Sequence, residues 1–383
     1  MTDHEELRDL PLAEFAERFR QWISAHQGEL APLLDARVRF DERVQLARRL
    51  RRLLCDHGWG LTGWPQPVGG LGGTILHRAV VTEELFRAGW QGPAVFEHLE
   101  IVLPALVQYG TPEFVSAVLP RFLDGSWAWC QGFSEPEAGS DLAGLRTRAT
   151  VDGDDFLVSG HKIWTSWACY ARWCLALART GTAEQRHRGL TMLAVDLESP
   201  GVTVRPIIQA NSTDELAEVF FDDVRVPRAQ VIGEVDGGWR VAMYLLAHER
   251  GTLSWLRHCA FRQRITASAK LMSEDHDRIL GDVVLQLAGV RAAATQLLGR
   301  AAAGAELGPD AAFNKLLMTR TEQNLFNLLR DADGARIALP GDAPEEILLQ
   351  HDYLFSRIVT IYGGSQQMQL ITVARHILGL PNE

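Results

Sequence analysis

The apolar positions follow a helical spacing at both ends of the chain and a strand spacing in its middle. Up to about residue 125, apolar side chains recur every three to five residues, which predicts a series of helices. The stretch from Trp64 to Thr74 interrupts this pattern with two prolines and four glycines, so we expect a loop there. The N-terminal third is therefore predicted to be helical.

Between about residues 127 and 231 the pattern changes to short β-rich runs separated by turn residues. The predicted strands are residues 156–164, 173–180, 191–197, 202–207 and 217–226. From Gly237 the chain is helical again, up to stop signals at Gly379 and Pro381. The order predicts an α+β chain with an N-terminal helical domain, a middle β domain and a C-terminal helical domain over residues 1–126, 127–232 and 233–383.

Composition and charge exclude several classes of protein. The chain has 383 residues, 46% of them hydrophobic and 22% charged, which suits a large apolar core and not a disordered chain. A net charge of −10 gives no basic surface for nucleic acid. We find no apolar run near the ~20 residues that cross a bilayer, no targeting segment and no metal-ligand spacing. Five irregularly spaced cysteines are typical of a reducing compartment, so we expect a cytoplasmic protein without a membrane segment or metal.

Two segments carry residue types suited to holding an anionic, planar molecule. Gly139 and Ser140 lie in a predicted turn whose backbone N–H groups can approach a phosphate closely. Ser134 offers a hydroxyl to a ring nitrogen or carbonyl. Trp164, at a predicted strand end, can lie flat against a ring, and Ser166 shares its face. With 11 tryptophans in the chain, simple core packing is the alternative interpretation of Trp164 taken alone.

Together these segments carry the motifs EPEAGSD and, some twenty residues later, GHKIWTS. The chain thereby resembles the acyl-CoA dehydrogenases, which carry both motifs in this order in a middle β domain. The loop WPQPVGGLGG and the ending IYGGSQQMQLITVARHILGLP are also similar to that family, so the resemblance covers nearly the whole chain. It implies a middle β-barrel or sandwich domain and a C-terminal four-helix bundle.

The resemblance also implies FAD as cofactor. In the family the matching positions contact the flavin edge, the pyrophosphate and the second flavin face. Here they are Gln131, Phe133 and Ser134 at the flavin edge, Gly139 and Ser140 near the pyrophosphate and substrate, and Trp164 and Ser166 on the other face. The implied reaction is α,β-desaturation of an acyl thioester, in which a carboxylate removes the α-proton and flavin N5 accepts the β-hydride.

The position of that carboxylate separates two subgroups of the family. Many members carry it in a Y-E-G-T sequence, where this chain reads Tyr362-Gly363-Gly364-Ser365 and Gly363 replaces the glutamate. A second, partly bacterial subgroup supplies it from an E-R pair on the helix that opens the C-terminal domain, matched here by Glu249 and Arg250. We expect Glu249 to be the base and Arg250 to steady it, with a solvated ion pair as the alternative. Tyr362, Gly363 and Gly364 would then border the substrate.

Three departures from the family pattern bear on cofactor and partners. An R-x-x-F-G segment that grips the pyrophosphate is replaced by KLMSEDHDRIL, residues 270–280, and a Q-x-x-G-G-x-G segment by DADGARIALPGD, residues 331–342. Both usually complete the FAD site of a neighbouring subunit, so a heteromer with a second dehydrogenase-like subunit competes with a homo-oligomer. Ala247 replaces an acidic residue that contacts pantetheine in relatives, which leaves CoA and a carrier protein both open.

Three functions follow from these observations. The first is an FAD-dependent dehydrogenase of an acyl thioester that passes electrons to an electron-transferring flavoprotein, a partner implied by resemblance alone. The second is a non-catalytic or half-site subunit of a heteromeric acyl-CoA dehydrogenase. The third is oxidase or monooxygenase chemistry on the same fold, which oxygen consumption would expose.

Overall fold

Helices precede and follow a central β-sheet in the computed structural model, which describes residues 4–34, 38–90, 97–334, 337 and 344–381. The order confirms the predicted α+β class. The helices before the sheet are α1 (Leu12–Ala25), α2 (Gln27–Leu34), α3 (Phe40–Asp56), α4 (Ile75–Arg87), α5 (Glu97–Tyr109) and α6 (Pro112–Leu123). The predicted loop between α3 and α4 contains only a 3-10 turn, and Thr74 closes it as the N-cap of α4.

The central sheet contains β1 (Trp129–Gly132), β2 (Arg148–Asp152), β3 (Asp155–Ser166), β4 (Trp173–Arg179), β5 (Leu190–Asp196), β6 (Val202–Ile207), β7 (Leu216–Pro227) and β8 (Val231–Ile232). Its strand order is β6-β7-β3-β2-β4-β5-β8, and β1 pairs in parallel with β4. All five predicted strands are present as β3 to β7. Nearly all residues of β4 and β5 are buried, and most of them are apolar. These two strands therefore lie at the centre of the sheet's core.

Three strands were not predicted, and each is short. β1 has four residues and β8 has two, so neither is long enough to show a period of two. β1 forms because Trp129 pairs with Trp173 of β4, with the two rings stacked 5.6 Å apart between centroids. β2 exposes most of its side chains and is held by antiparallel pairing with β3 across the turn at Gly153.

The helices after the sheet are α7 (Gly238–Ala267), α8 (Asp277–Ala302), α9 (Ala311–Asp333), α10 (Pro344–Phe355) and α11 (Gln366–His376). The final helix begins after the predicted glycine break, with Ser365 as its N-cap. Among the described residues, no helix is both long and apolar enough to cross a membrane.

The chain divides into two units. The helical unit comprises Met1–Gln66, Gly70–Pro93 and Ala247–Glu383, and the sheet unit comprises Pro67–Gly69 and Ala94–Leu246. The helical unit has two apolar clusters, one around Phe15, Phe19 and Trp255 and one around Phe261 and Leu325. The core of the sheet unit lies on β3, β4, β5 and β7. The domain limits given above, 1–126, 127–232 and 233–383, stay a prediction.

One pair of valines tests the packing of the sheet. Val219 of β7 is fully buried, whereas Val151 of β2 is 65% exposed. We expect Val219→Ala to lower the free energy of unfolding by about 2 kcal/mol, because it removes two buried carbons and leaves a cavity. Val151→Ala should change it by less than about 0.5 kcal/mol. Urea unfolding of both variants measures this, and equal losses would contradict the assigned core.

Candidate active site

A buried glutamate anchors the first motif of the sheet unit. The Glu135 carboxylate accepts hydrogen bonds from the backbone N–H groups of Arg146 (2.6 Å) and Thr147 (2.8 Å) and from Lys162 Nζ (2.8 Å). Lys162 is fully buried and also donates to the Phe133 carbonyl at 3.1 Å. Burial raises the pKa of Glu135, but the Lys162 charge and these donors outweigh it and lower it overall. This pair joins the EPEAGSD motif to the GHKIWTS motif.

The second motif presents an exposed tryptophan beside the first. The Ile163 N–H donates to the Ser134 carbonyl at 3.0 Å, so the two predicted segments are neighbours. The pairing of β3 with β7 is irregular between Lys162 and Thr165, and Trp164 there adopts a φ of +59°. Because this bulge turns the residue away from the sheet, its side chain is 57% exposed while Thr165 is buried. The alternative interpretation, that Trp164 packs in the core, is therefore wrong. Its exposed indole offers a face to a planar ring.

The predicted turn at Gly139 and Ser140 is an exposed bend. It follows a reciprocal pair of backbone hydrogen bonds between Glu135 and Ala138, both of 3.0 Å, and precedes a short 3-10 turn. A Cβ at Gly139 would meet no atom of the described residues within 4 Å. Asp141, next in sequence, forms an ion pair with Arg186. The bend is thus open on the side where a phosphate was expected.

The remaining predicted cofactor residues lie on the two strands that bear these motifs. Gln131 is half-buried on β1, and Phe133 is buried just after it. Ser166 ends β3, where it pairs with Leu216 of β7. The structure therefore brings the predicted flavin-contacting residues of the sheet unit onto adjoining segments.

In the helical unit, Glu249 lies on α7 and is only 7% exposed. It does not lie on a solvated helix face. The alternative interpretation, a solvated ion pair at the surface, is therefore wrong. Arg250 beside it is half-buried, and burial lowers the pKa of its guanidinium while Glu249 opposes that shift. An arginine remains charged despite such a shift, so the E-R pair brings one anion and one cation into the interior.

The Glu249 carboxylate lies beside Gly363. A Cβ placed on Gly363 would be 2.7 Å from Glu249 Oε1 and 3.6 Å from Lys315 Cε. Real Cβ atoms essentially never approach another atom as closely as the first of these distances. The space that a side chain at position 363 would need is therefore occupied by Glu249, which comes from another helix.

Two side chains fix the backbone of the glycine pair. Gly363 and Gly364 have φ values of +63° and +89°, which side chains with a Cβ disfavour. Arg250 Nε donates to the Gly363 carbonyl at 3.0 Å. Gln369 of α11 donates through Nε2 to the Gly363 carbonyl (3.3 Å) and the Gly364 carbonyl (3.2 Å). The turn before α11 is thus held by one residue of α7 and one of α11.

Sequence analysis missed Gln369 and a second buried cation, Lys315. Lys315 lies on α9, is 3% exposed and places Nζ 3.6 Å from the centroid of the Tyr362 ring. Arg257 of α7 approaches the Tyr362 hydroxyl at 3.5 Å. No sequence signal distinguishes Lys315, because α9 mixes apolar and polar residues and lysine is a common residue in such a helix.

Known proteins match this arrangement along the whole chain. Family models for the N-terminal, middle and C-terminal domains of acyl-CoA dehydrogenase match residues 13–126, 130–224 and 236–378. The acyl-CoA dehydrogenase IpdE1 of Mycobacterium tuberculosis is 37% identical over 382 residues, covering 97% of this chain and 98% of that protein. The chain belongs to the acyl-CoA dehydrogenase family. Its activity class is therefore that of an oxidoreductase acting on a CH–CH bond of an acyl thioester.

Solved structures of this family show the same fold. The Tcur3481-Tcur3483 steroid ACAD has a TM-score of 0.82 at 28% identity, covering 98% of this chain and 100% of that chain. The ChsE4-ChsE5 complex from Mycobacterium tuberculosis has a TM-score of 0.75 at 28% identity, covering 96% of this chain and 98% of that chain. Both of these structures are named after two components.

The segments that depart from the family pattern lie in the helical unit. Residues 270–280 form two 3-10 turns and the start of α8, and Lys270 is exposed. Most of residues 331–342, the second departing segment, lies outside the described residues.

The close approach of Glu249 to Gly363 predicts different effects at two glycines. Gly363 and Gly153 share a φ of +63°, but a Cβ on Gly153 meets nothing within 4 Å. Alanine at either position should cost about 1–2 kcal/mol of stability through backbone strain. Only Gly363→Ala should also displace the Glu249 carboxylate, and we expect it to slow acyl-thioester dehydrogenation about 100-fold.

Chemical denaturation and turnover assays of both variants measure these effects. A Gly363→Ala enzyme as active as the Gly153→Ala enzyme would show that the carboxylate position does not matter.

Proposed function

We propose that the chain catalyses the α,β-dehydrogenation of an acyl thioester with Glu249 as the base and FAD as the hydride acceptor. The observation that carries this proposal is the buried Glu249 carboxylate beside Gly363, the position at which many relatives carry their glutamate. A Cβ at position 363 would lie 2.7 Å from Glu249 Oε1, so a side chain there would require this carboxylate to move. The position of the E-R pair on α7 is what the resemblance implies for the second subgroup of the family.

The surroundings of Glu249 suit a base that must be ionised before it reacts. Burial removes water from the carboxylate, which makes it a stronger base but disfavours its charge. Arg250 and Lys315 are basic residues of the same site, and the charge of Glu249 raises the pKa of each against the effect of burial. Glu249 would take the α-proton of the thioester onto its carboxylate, while the β-hydrogen leaves with its electron pair.

The residues of the sheet unit fit FAD. The exposed face of Trp164, the neighbouring Ser134 and the open bend at Gly139 and Ser140 offer a stacking surface, a hydroxyl and backbone donors. When bound, FAD would supply the two-electron oxidant that accepts the β-hydride. The buried pair of Glu135 and Lys162 would hold these segments in place without touching the cofactor.

The glycine pair supports substrate binding in the helical unit. Gly363 and Gly364 precede α11, and backbone N–H groups at the N-terminus of a helix stabilise negative charge. We assign to this turn, with Tyr362, the binding of the thioester carbonyl, where enolate charge develops. One similar structure is named a steroid ACAD, so we propose a bulky acyl group as the substrate of this chain.

Substitution of Glu249 tests the assignment of the base. Glu249→Gln keeps the size of the side chain but cannot accept the α-proton, so we expect flavin reduction to slow by about 10²–10⁴-fold. Bound flavin should be retained, because the predicted flavin contacts are on other residues. Stopped-flow reduction with a panel of straight, branched and ring-bearing acyl-CoA thioesters measures the rate.

The matched control is Glu84→Gln, which neutralises another buried carboxylate of the helical unit, one paired with Arg20 and Arg87. Its rate of reduction should stay within a few-fold of wild type. A Glu249→Gln rate close to that of the control would mean that another group takes the proton.

A second candidate function, a half-site subunit of a heteromer, is favoured by the departing segment at residues 270–280. Charge-assisted contacts to a pyrophosphate are strong, and this segment has neither the family's Phe-Gly nor a clear match to its arginine, although it contains Arg278. Two similar structures are named as pairs of components, Tcur3481-Tcur3483 and ChsE4-ChsE5. The helical unit also exposes apolar side chains that an oligomer would cover, namely Ile361, Met368, Leu370, Ile371, Ile377, Leu378 and Leu380.

The amount of flavin bound by the protein purified alone separates a homo-oligomer from a heteromer. If an unlike subunit supplies the missing cation, we expect well under one FAD per chain by visible absorption. Co-expression with an unlike dehydrogenase-like subunit should then raise the bound flavin. Full occupancy in the isolated protein would contradict the heteromer and favour a homo-oligomer.

The electron acceptor and the acyl carrier follow from the resemblance alone. We assign the reoxidation of the flavin to an electron-transferring flavoprotein. Ala247 precedes Glu249 by two positions and contributes no acidic contact to pantetheine, so either CoA or a carrier protein satisfies the remaining requirements.

A further inference from the structure

Helix α11 buries a glutamine and exposes the apolar residues next to it. Gln369 is only 1% exposed, whereas Leu370 and Ile371, which follow it, are exposed. Glutamine is mostly found at protein surfaces, and a buried amide group needs partners for its donors and for its acceptor. The burial of Gln369 therefore calls for an explanation other than apolar packing.

The amide group of Gln369 contacts the backbone of the glycine turn. Its Nε2 donates to the carbonyl oxygens of Gly363 at 3.3 Å and Gly364 at 3.2 Å. A Cβ on Gly364 would overlap with this nitrogen, so the approach depends on glycine at that position. Oε1 of the same amide is buried and accepts no hydrogen bond from the described residues. An unpaired buried acceptor costs about 1–3 kcal/mol, so the two contacts with the turn are made in spite of that cost.

The two carbonyls held by Gln369 fix the direction of two backbone N–H groups. In a planar trans peptide, the carbonyl of one residue and the N–H of the next point in opposite directions. Gln369 and Arg250 both donate to the Gly363 carbonyl, so the N–H of Gly364 points away from these two side chains. The held Gly364 carbonyl fixes the N–H of Ser365, the N-cap of α11, in the same way. Within the described part of the chain, neither N–H group donates to a protein acceptor.

We propose that Gln369 is a positioning residue that directs the N–H groups of this turn towards the carbonyl oxygen of the thioester. The inference rests on the proposed function, in which the turn binds this oxygen. Negative charge develops on the oxygen as the α-proton leaves, and donors stabilise it best when their direction is fixed before the reaction. Gln369 touches neither the thioester nor the reacting carbons in this role, because its amide lies on the carbonyl side of the peptide groups.

Substitution of Gln369 by methionine tests this role. Gln369→Met keeps the length of the side chain but donates no hydrogen bond, so the peptide groups of the turn are free to rotate. We expect flavin reduction at saturating acyl-CoA to slow about 10–100-fold. The Kd of the acyl-CoA should change less than about threefold, because the lost stabilisation belongs to the transition state. Stopped-flow reduction over a range of acyl-CoA concentrations separates the two quantities.

The matched control is Gln323→Met on α9. Gln323 is half-buried in the helical unit and donates through Nε2 to the Ser356 carbonyl at 3.3 Å. Its substitution removes a hydrogen bond of the same kind at a carbonyl outside the glycine turn. Rate and Kd should stay within about threefold of wild type. An equal loss of rate in both variants would indicate a general loosening of the helical unit and would contradict the proposal.

Infrared spectroscopy of a bound thioester gives a readout that does not depend on turnover. The probe is the α,β-unsaturated acyl-CoA that binds the oxidised holoenzyme most tightly, labelled with ¹³C at the thioester carbonyl. Hydrogen bonds to this oxygen lower its stretching frequency, so the wild-type band should lie below that of the free thioester. In Gln369→Met the band should move back towards the free value, and in Gln323→Met it should not. A wild-type band in Gln369→Met would overturn the proposal, even if the rate falls.

Should Gln369→Met fail to fold, Gln369→Leu also removes both donors and should show the same loss of rate and the same movement of the band. The infrared result separates this inference from the proposed base. If Glu249→Gln reduces the flavin normally, the base fails, but the band still decides the role of Gln369, because the complex with the unsaturated thioester needs no base. An unshifted band in wild type would instead contradict the binding of the thioester at the turn, and with it this inference.

Discussion

The site in the helical unit depends on one steric constraint, which is that Glu249 and a side chain at position 363 cannot share the same space. With glycine at 363, the carboxylate from α7 reaches the turn before α11. The glycine then permits a left-handed backbone, whose carbonyls are held by Arg250 and Gln369. The close approach of Glu249 to the turn and the left-handed backbone of the turn thus both depend on the glycine at position 363.

Two buried lysines in this arginine-rich chain are held by different kinds of contact. Lys162 is in direct ion-pair contact with Glu135, and two backbone N–H groups complete the coordination of that carboxylate. Such a saturated pair has little freedom to respond to pH. Lys315 contacts a ring, and its charge depends on several groups at longer range. It can therefore change its protonation state without opening the fold.

The order of helices and strands could be predicted from the sequence because period and turn residues are local signals. β1 and β8 are too short to carry a period, and only pairing reveals them. The contact between α7 and the glycine turn joins residues 113 positions apart, so the resemblance to a family suggested it and no spacing did. Lys315 and Gln369 look like ordinary helix residues, since their burial is set by packing between helices.

The two proposed functions are compatible, because the position of Glu249 and the affinity for FAD depend on different residues. Glu249, the proposed base, is buried beside the glycine turn, and Arg250 and Lys315 of the same chain also border that turn. Affinity for FAD depends also on a cationic contact to the pyrophosphate, worth about 1.5–3 kcal/mol or roughly ten- to hundredfold in affinity. Residues 270–280 contain Arg278 but no clear match to the family's R-x-x-F-G segment. A subunit that donates one arginine would restore binding without altering the base, so catalysis in this chain and dependence on a partner follow from the same departures.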